Sequence, residues 1–189
     1  MFNTLDSANL ERTRRFLHYA GRLKTLRRRC WQVKGIRGGE SVADHTFRVS
    51  IMALFLSRQN GSQLNREKCM ALAIVHDLAE SIVGDFTPHD EIPADAKRGK
   101  EKHAIRELSS MLGDSELTDL WIEFEEGTSP EAAFVRDLDR IEAVVQALEY
   151  EREKGTDLSE FWDSLRPKLE GEWARAFFDE LISARRSQR

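Results

Sequence analysis

Ser41-Val42-Ala43-Asp44-His45-Thr46-Phe47-Arg48-Val49-Ser50-Ile51-Met52-Ala53-Leu54-Phe55-Leu56 opens on a capping pattern, Ser41-x-x-Asp44, with aspartate in place of the commoner glutamate. In such a pair each side chain satisfies a backbone N–H left open at the start of a helix. Val42, Val49, Met52 and Leu56 then recur on one face, which is the period of an α-helix and not of a strand. His45 shares that face. A polar ring thus stands in a stripe that folding will bury, so the stretch that specifies a helix also marks a candidate site.

The helical period continues in both directions, and no alternating pattern runs longer than a few residues. Upstream, Asp6 or Ser7 is expected to cap a first helix with apolar rows Leu10, Leu17, Ala20 and Phe16, Leu23, running into Arg27-Arg28-Arg29. Three glycines in Lys34-Gly35-Ile36-Arg37-Gly38-Gly39-Glu40 predict a loop. Downstream, Asn65 is expected to cap a third helix through Cys69, Leu72, Ala79 and Val83, with Gly84 as its stop. An irregular loop follows from Asp85 to Pro93, then a fourth helix over about Ala94 to Leu112. A short fifth helix starts near Ser115 and ends before Gly127. Ser129-Pro130 starts a sixth, which displays Phe134, Leu138, Ile141, Val145 and Leu148. One or two amphipathic helices through Phe161, Leu165, Trp173, Phe177 and Leu181 complete the chain. The expected architecture is a single all-α domain over residues 1–189, with C-terminal helices at about 157–185 and no repeat or long linker.

Composition narrows the class. The 189 residues suit one domain, and 40% hydrophobic content supports a sizeable core. A charged fraction of 33% and a mean hydropathy of -0.54 indicate a wet exterior. No apolar run approaches the ~18–20 residues that span a bilayer, and the Met1-to-Asp6 start does not read as a secretory signal. A net charge of -4 and a pI near 5.8 argue against bulk attraction to nucleic acid or anionic membrane. Cys30 and Cys69 form neither a CxxC pair nor a disulfide framework. These features lead to the expectation of a soluble, cytoplasmic protein without nucleic-acid or membrane partners.

The chemistry gathers around few residues. His76 stands on an apolar face as His45 does, accompanied by Asp77 and Glu80. A lone core histidine is ordinarily a hydrogen-bonded packing residue. Two such helices, one with carboxylates beside its imidazole, point instead toward a shared divalent cation, because buried groups of this kind need a partner. Adjacent side chains on a helix diverge by about 100°, so a cation held by His76 and Asp77 must lie beside the helix between them. A fourth ligand is expected from Asp137 or Asp139. These lie about 200° apart around a helix; the helical wheel slightly favours Asp137, and pattern does not decide. His18, His89 and His103 lack ligand-like company and read as ordinary histidines.

His45, then His76-Asp77, then a distant Asp139 resembles the H…HD…D signature of the HD superfamily of metal-dependent phosphohydrolases. The strings Ser41-Val42-Ala43-Asp44-His45 and His76-Asp77-Leu78-Ala79-Glu80-Ser81-Ile82-Val83-Gly84-Asp85 are similar to its 5′-deoxynucleotidase branch, as are Val135–Glu142 and Gln146–Glu151. The likeness covers about residues 21–153 and implies an HD-domain helical bundle that dephosphorylates deoxyribonucleoside 5′-monophosphates. It implies metal ligands His45, His76, Asp77 and Asp139, leaving Asp137 as a surface neighbour or salt-bridge partner. Mn2+, Co2+, Fe2+ or Zn2+ suits such mixed ligands. Glu80 and Asp85 match two further acidic positions, as water-orienting base and leaving-group acid or as holders of a second Mg2+. Arg28 falls at a substrate arginine position and Trp31 is the nearest tryptophan, although Arg29 and Cys30 intervene where one form of the motif has the two adjacent, and which of Arg27, Arg28 and Arg29 meets phosphate stays open; Arg48 and Thr87 are further substrate candidates. A homodimer is implied as well. Alternative readings are an HD phosphohydrolase for an alarmone, cyclic dinucleotide or deoxynucleoside triphosphate, the last disfavoured by the short chain, or a non-catalytic metal-stabilised scaffold.

Overall fold

The capping pair forms as read: Asp44 Oδ2 accepts the Ser41 N–H at 2.8 Å, and Ser41 Oγ accepts the Asp44 N–H at 3.1 Å. From it runs helix α3 (Val42–Leu56), with Val42, His45 and Val49 fully buried. The structure is a computed structural model that describes residues 7–58 and 63–187. The expected cap at Asp6 lies outside them. Among the described residues there is no strand, only an isolated antiparallel bridge between Arg27 and Ser41, and no helix long and apolar enough to cross a membrane.

The fold is all-α, and the chain forms two compact units. One comprises Met1–Thr46 with Ile74–Glu123, the other Phe47–Ala73 with Phe124–Arg189. In the first unit, α1 (Ser7–Arg22) packs against α5 (Glu80–Val83) and α6 (Ala94–Leu112), and α5 packs on α6. Leu23, Val42, Val75, Leu78, Ala104, Ile105, Leu108 and Trp121 form its core. The span of α6 is the expected one. α7 (Glu116–Glu126) also starts and stops where Ser115 and Gly127 predict.

In the second unit, α8 (Pro130–Lys154) packs against α9 (Ser159–Leu165) and α10 (Glu172–Arg186). Ser129 caps α8 by accepting the Ala132 N–H at 3.1 Å, with Pro130 in the first turn, a place where its missing N–H costs nothing. Leu138, Ile141, Val144 and Ala147 of α8 are buried, and Trp162 of α9 meets Phe178 of α10 edge-on with ring centroids 5.7 Å apart.

Two local departures matter for the site. The segment after the first helix is not a simple continuation into the arginines: α1 ends at Arg22, a turn follows, and a short α2 (Arg29–Val33) presents the cluster. More consequential, the expected helix from Asn65 to Val83 is interrupted. α4 (Arg66–Val75) stops just before His76, and α5 begins at Glu80. Across the gap the bonds tighten to the i→i−3 pattern, Leu78 N–H to Val75 O, Glu80 N–H to Asp77 O and Ser81 N–H to Leu78 O, as in a 3₁₀ turn. α5 then leaves through Gly84 at φ +87°, a backbone region open to glycine and strained for other residues.

Candidate metal centre

The interruption of the α4–α5 segment solves the problem posed by adjacent ligands. On a regular helix His76 and Asp77 would diverge, whereas here His76 Nε2 lies 3.2 Å from Asp77 Oδ2. His45, brought in by α3, adds its Nε2 at 3.3 Å from His76 Nε2 and 3.7 Å from Asp77 Oδ2. Ligands at about 2.1 Å from one cation stand roughly 3.0–3.4 Å apart for octahedral or tetrahedral geometry; two edges of this triangle fall in that range and the third, at 3.7 Å, is slightly wider. Both histidines are buried. Two imidazole nitrogens and a carboxylate oxygen gathered this closely are the mixed donor set that suits a divalent cation.

The carboxylates around this triangle are strongly perturbed. Burial opposes ionisation of Asp77, but His76, the Arg28 guanidinium and His45 outweigh it and hold the carboxyl far below its ordinary range. Glu80 is pushed the other way, well above the usual carboxylate range, by burial and by repulsion from Asp77 and Asp85. Its Oε2 is buried and has no hydrogen-bond partner among the described residues. Leaving such an atom unpaired is costly, which fits a carboxylate poised for water or a cation. Asp85 is raised too, by burial first, with Arg28 and the Arg29 N–H pulling against it. The Arg29 N–H donates to Asp85 Oδ2 at 2.7 Å.

The three arginines that sequence leaves equivalent have different partners. Arg28 Nη1 donates to Asp77 Oδ2 at 3.0 Å with both side chains largely buried. Arg27 donates instead to the Gly39 carbonyl, and the Arg29 side chain to Asp90 Oδ1. Arg28 is therefore the arginine at the cation triangle. It borders a cleft of about 380 Å³ lined also by Arg27, Trp31, Gln32 and the Gly35–Gly39 loop, within the range of small-molecule sites. Trp31 has no exposed surface; its Nε1 donates to the buried Glu40 at 2.8 Å. Thr87, through both its N–H and its hydroxyl, donates to Asp90 Oδ2 at 2.9 Å and caps the short 3₁₀ turn Pro88–Asp90.

In the second unit, Asp137 and Asp139 have distinct surroundings. Asp137 is buried rather than at the surface, accepts the Glu170 and Gly171 N–H groups at 3.0 and 2.6 Å, and pairs with Arg140 at 3.2 Å. Its carboxylate holds the chain where it enters α10. The wheel's preference for Asp137 thus detected a buried carboxylate with a packing duty. Asp139 is partly buried on the same helix, α8. Arg48 is bound to α8, with its Nε 3.0 Å from Glu142 and Nη1 2.9 Å from Glu149, and it also donates to Gln146. Two carboxylates already neutralise that guanidinium.

Sequence reasoning missed Lys97, which reaches back from α6 to donate to the Phe86 carbonyl at 3.0 Å, and Glu40, the partner of Trp31. Neither has a local signal, since each partner is set by the packing of a different segment.

An all-helical fold that gathers His45, His76 and Asp77 across an interrupted helix defines the class: a helical protein with a buried nitrogen–oxygen donor group able to hold a metal. The chain belongs to the HD-domain family, whose model matches residues 20–176. It is 40% identical over 167 residues to the 5′-deoxynucleotidase HDDC2 of Dictyostelium discoideum, covering 82% of this chain and 88% of that one. It is 39% identical over 159 residues to the human protein of the same name, covering 82% and 76%. Among solved structures, a Pyrococcus horikoshii protein superposes with a TM-score of 0.77 at 32% identity, covering 91% of this chain and 98% of that one. An HD domain implies a divalent metal, and His45, His76 and Asp77 form a group able to hold it.

Proposed function

We propose that this chain is a metal-dependent 5′-nucleotidase that hydrolyses deoxyribonucleoside 5′-monophosphates to deoxynucleoside and inorganic phosphate. The observation that carries the reading is the convergence of His45, His76 and Asp77 beside Glu80, whose buried carboxylate oxygen has no partner among the described residues. The names borne by relatives that match over four-fifths of this chain support the substrate class. His45, His76, Asp77 and Asp139 are the proposed ligands for Mn2+, Co2+, Fe2+ or Zn2+. When bound, a divalent cation supplies Lewis acidity that offsets phosphate charge and lowers the pKa of nearby water.

The remaining work falls to the chain's own residues. Arg28, 3.0 Å from Asp77, draws the phosphate dianion toward the His45–His76–Asp77 group; its planar fork suits phosphate oxygens. Glu80 takes a proton from the attacking water, and its raised proton affinity makes it a better acceptor than an ordinary carboxylate. The water oxygen forms the new bond to phosphorus while the bond to the 5′-oxygen breaks, its electron pair leaving with that oxygen. Asp85, whose proton is also held more tightly than usual, donates to the departing 5′-oxygen. Proton return from Glu80 to Asp85 between turnovers closes the cycle. Glu80 and Asp85, which repel one another, are alternatively the holders of a second Mg2+. Trp31 is proposed to back the nucleoside cleft, with Thr87 ordering the loop beyond Asp85 and Arg48 serving α8.

A phosphate-release screen of nucleoside mono-, di- and triphosphates with each metal tests the reading. Release from deoxynucleoside monophosphates is expected; activity confined to triphosphates or cyclic dinucleotides refutes it. A cytoplasmic homodimer is part of the proposal. Phe47, Ile51 and Phe55 form an apolar stripe along α3 and are 68%, 40% and 63% exposed, which favours a covered surface. Light scattering of wild type against Phe47→Glu checks it.

A further inference from the structure

Across Ala94–Lys100, the first two turns of α6, every residue is exposed except Lys97. A lysine with no task beyond solubility extends into water and keeps its rotamer freedom. Lys97 instead folds back. Its Nζ donates to the Phe86 carbonyl at 3.0 Å and lies 3.5 Å from Glu101 Oε1, one turn further along α6. Glu101 is itself buried, so the ammonium is held from behind by a carboxylate of its own helix. Burial alone would weaken the charge, but Glu101, Glu80, Asp77 and Asp85 together stabilise it.

Phe86 directly follows Asp85. The loop bearing both leaves α5 through Gly84 at φ +87°, so α5 itself does not dictate where Asp85 points. Two bonds from other elements do: the Arg29 N–H on the Asp85 carboxylate and the Lys97 ammonium on the next carbonyl. The first fixes one oxygen, and the second fixes the backbone from which the carboxyl projects.

We propose that Lys97 is a positioning residue for the proton donor, holding the Phe86 carbonyl so that the Asp85 carboxyl stays aimed at the departing 5′-oxygen. This rests on the proposed phosphomonoester hydrolysis with Asp85 as the acid. The role is exerted through Asp85, so its loss shows where the leaving oxygen needs a proton and is silent where it does not.

The test compares metal-loaded wild type, Lys97→Met and Lys97→Arg on two substrates. Deoxyadenosine 5′-monophosphate expels an alkoxide that requires protonation, whereas p-nitrophenyl phosphate expels a stable phenolate. A displacement of about 1 Å costs on the order of a hundredfold, so Lys97→Met is expected to lower kcat on the nucleotide by about that factor, leave KM within about threefold, and change the aryl phosphate rate by less than about fivefold. Lys97→Arg, which keeps a donor in reach of Phe86, recovers most of the loss. Amide exchange at Asp85–Thr87 is faster in Lys97→Met, a readout independent of turnover. Equal losses on both substrates, no loss on either, or unchanged amide exchange overturns the proposal. Should Lys97→Met fail to fold, Lys97→Leu, likewise without a donor, is read the same way. Wild-type protein inert toward deoxynucleoside monophosphates overturns the activity itself, and that result is distinct because it precedes any substitution.

Discussion

Asp137→Ala and Asp139→Ala are expected to damage the protein in opposite ways, although the two residues sit two apart on α8. Asp137 is 1% exposed and accepts two backbone N–H groups, from Glu170 and Gly171, besides pairing with Arg140. The contact is close enough that a Cβ on Gly171 would stand 3.0 Å from Asp137 Oδ2. Hydrogen bonds to a charged group are worth about 1.5–3 kcal/mol each, and their loss here leaves two part-buried donors without their acceptor. Removing the carboxylate therefore costs about 4 kcal/mol, a large share of the ~5–15 kcal/mol that holds a domain folded. With a urea slope of about 2 kcal/mol/M, the midpoint falls by about 2 M. The assay is urea unfolding of the metal-free protein, followed by metal analysis of the folded fraction. Asp137→Ala should lose stability yet retain metal when folded. Asp139→Ala should shift the metal-free midpoint by less than Asp137→Ala does, while losing metal. A stable, metal-free Asp137→Ala protein would refute the reasoning, because the packing duty and the ligand would then be interchanged.

Other substitutions probe the centre itself. Glu80→Gln keeps the shape but not the proton acceptor, so metal content should persist while kcat falls by about 10²–10⁴; full activity would exclude Glu80 as base. Arg28→Ala removes a guanidinium 3.0 Å from Asp77 that repels a cation and attracts phosphate. Calorimetric metal affinity should therefore rise several-fold while KM for the nucleotide also rises, and a fall in metal affinity would contradict the electrostatic account. The capping pair makes a pH prediction. The Ser41 N–H and hydroxyl hold Asp44 below its reference value of 3.8, so its stabilisation is present above that pH and is lost as pH falls through the lowered value. Asp44 is 63% exposed, so Asp44→Ala should cost only about 0.5 kcal/mol at pH 7. That gap in urea unfolding should narrow toward pH 3; a constant gap would show that ionisation of Asp44 is not its source.

Much of the chain was legible without coordinates because its signals are local. A cap, a proline at the first turn or a terminating glycine acts within three or four residues, so α3, α6, α7 and the start of α8 fall where their own residues place them. His45 and His76 stood out for the same reason, as polar rings on faces whose period demanded burial. The interruption at His76 did not show, because the apolar spacing of Cys69, Leu72, Ala79 and Val83 continues through it.

Tertiary structure decided what local pattern leaves degenerate. Three consecutive arginines are equivalent in sequence, yet one meets Asp77, one a carbonyl and one Asp90, because each points in a different direction from the turn into α2. Asp137 and Lys97 acquired their duties from chain segments 33 and 11 residues away. The residue types and their periodicity determined a helical protein with a buried His-Asp cluster. Packing between distant segments determined which atoms converge, because a metal site is a matter of ångströms between side chains whose separation no local rule specifies.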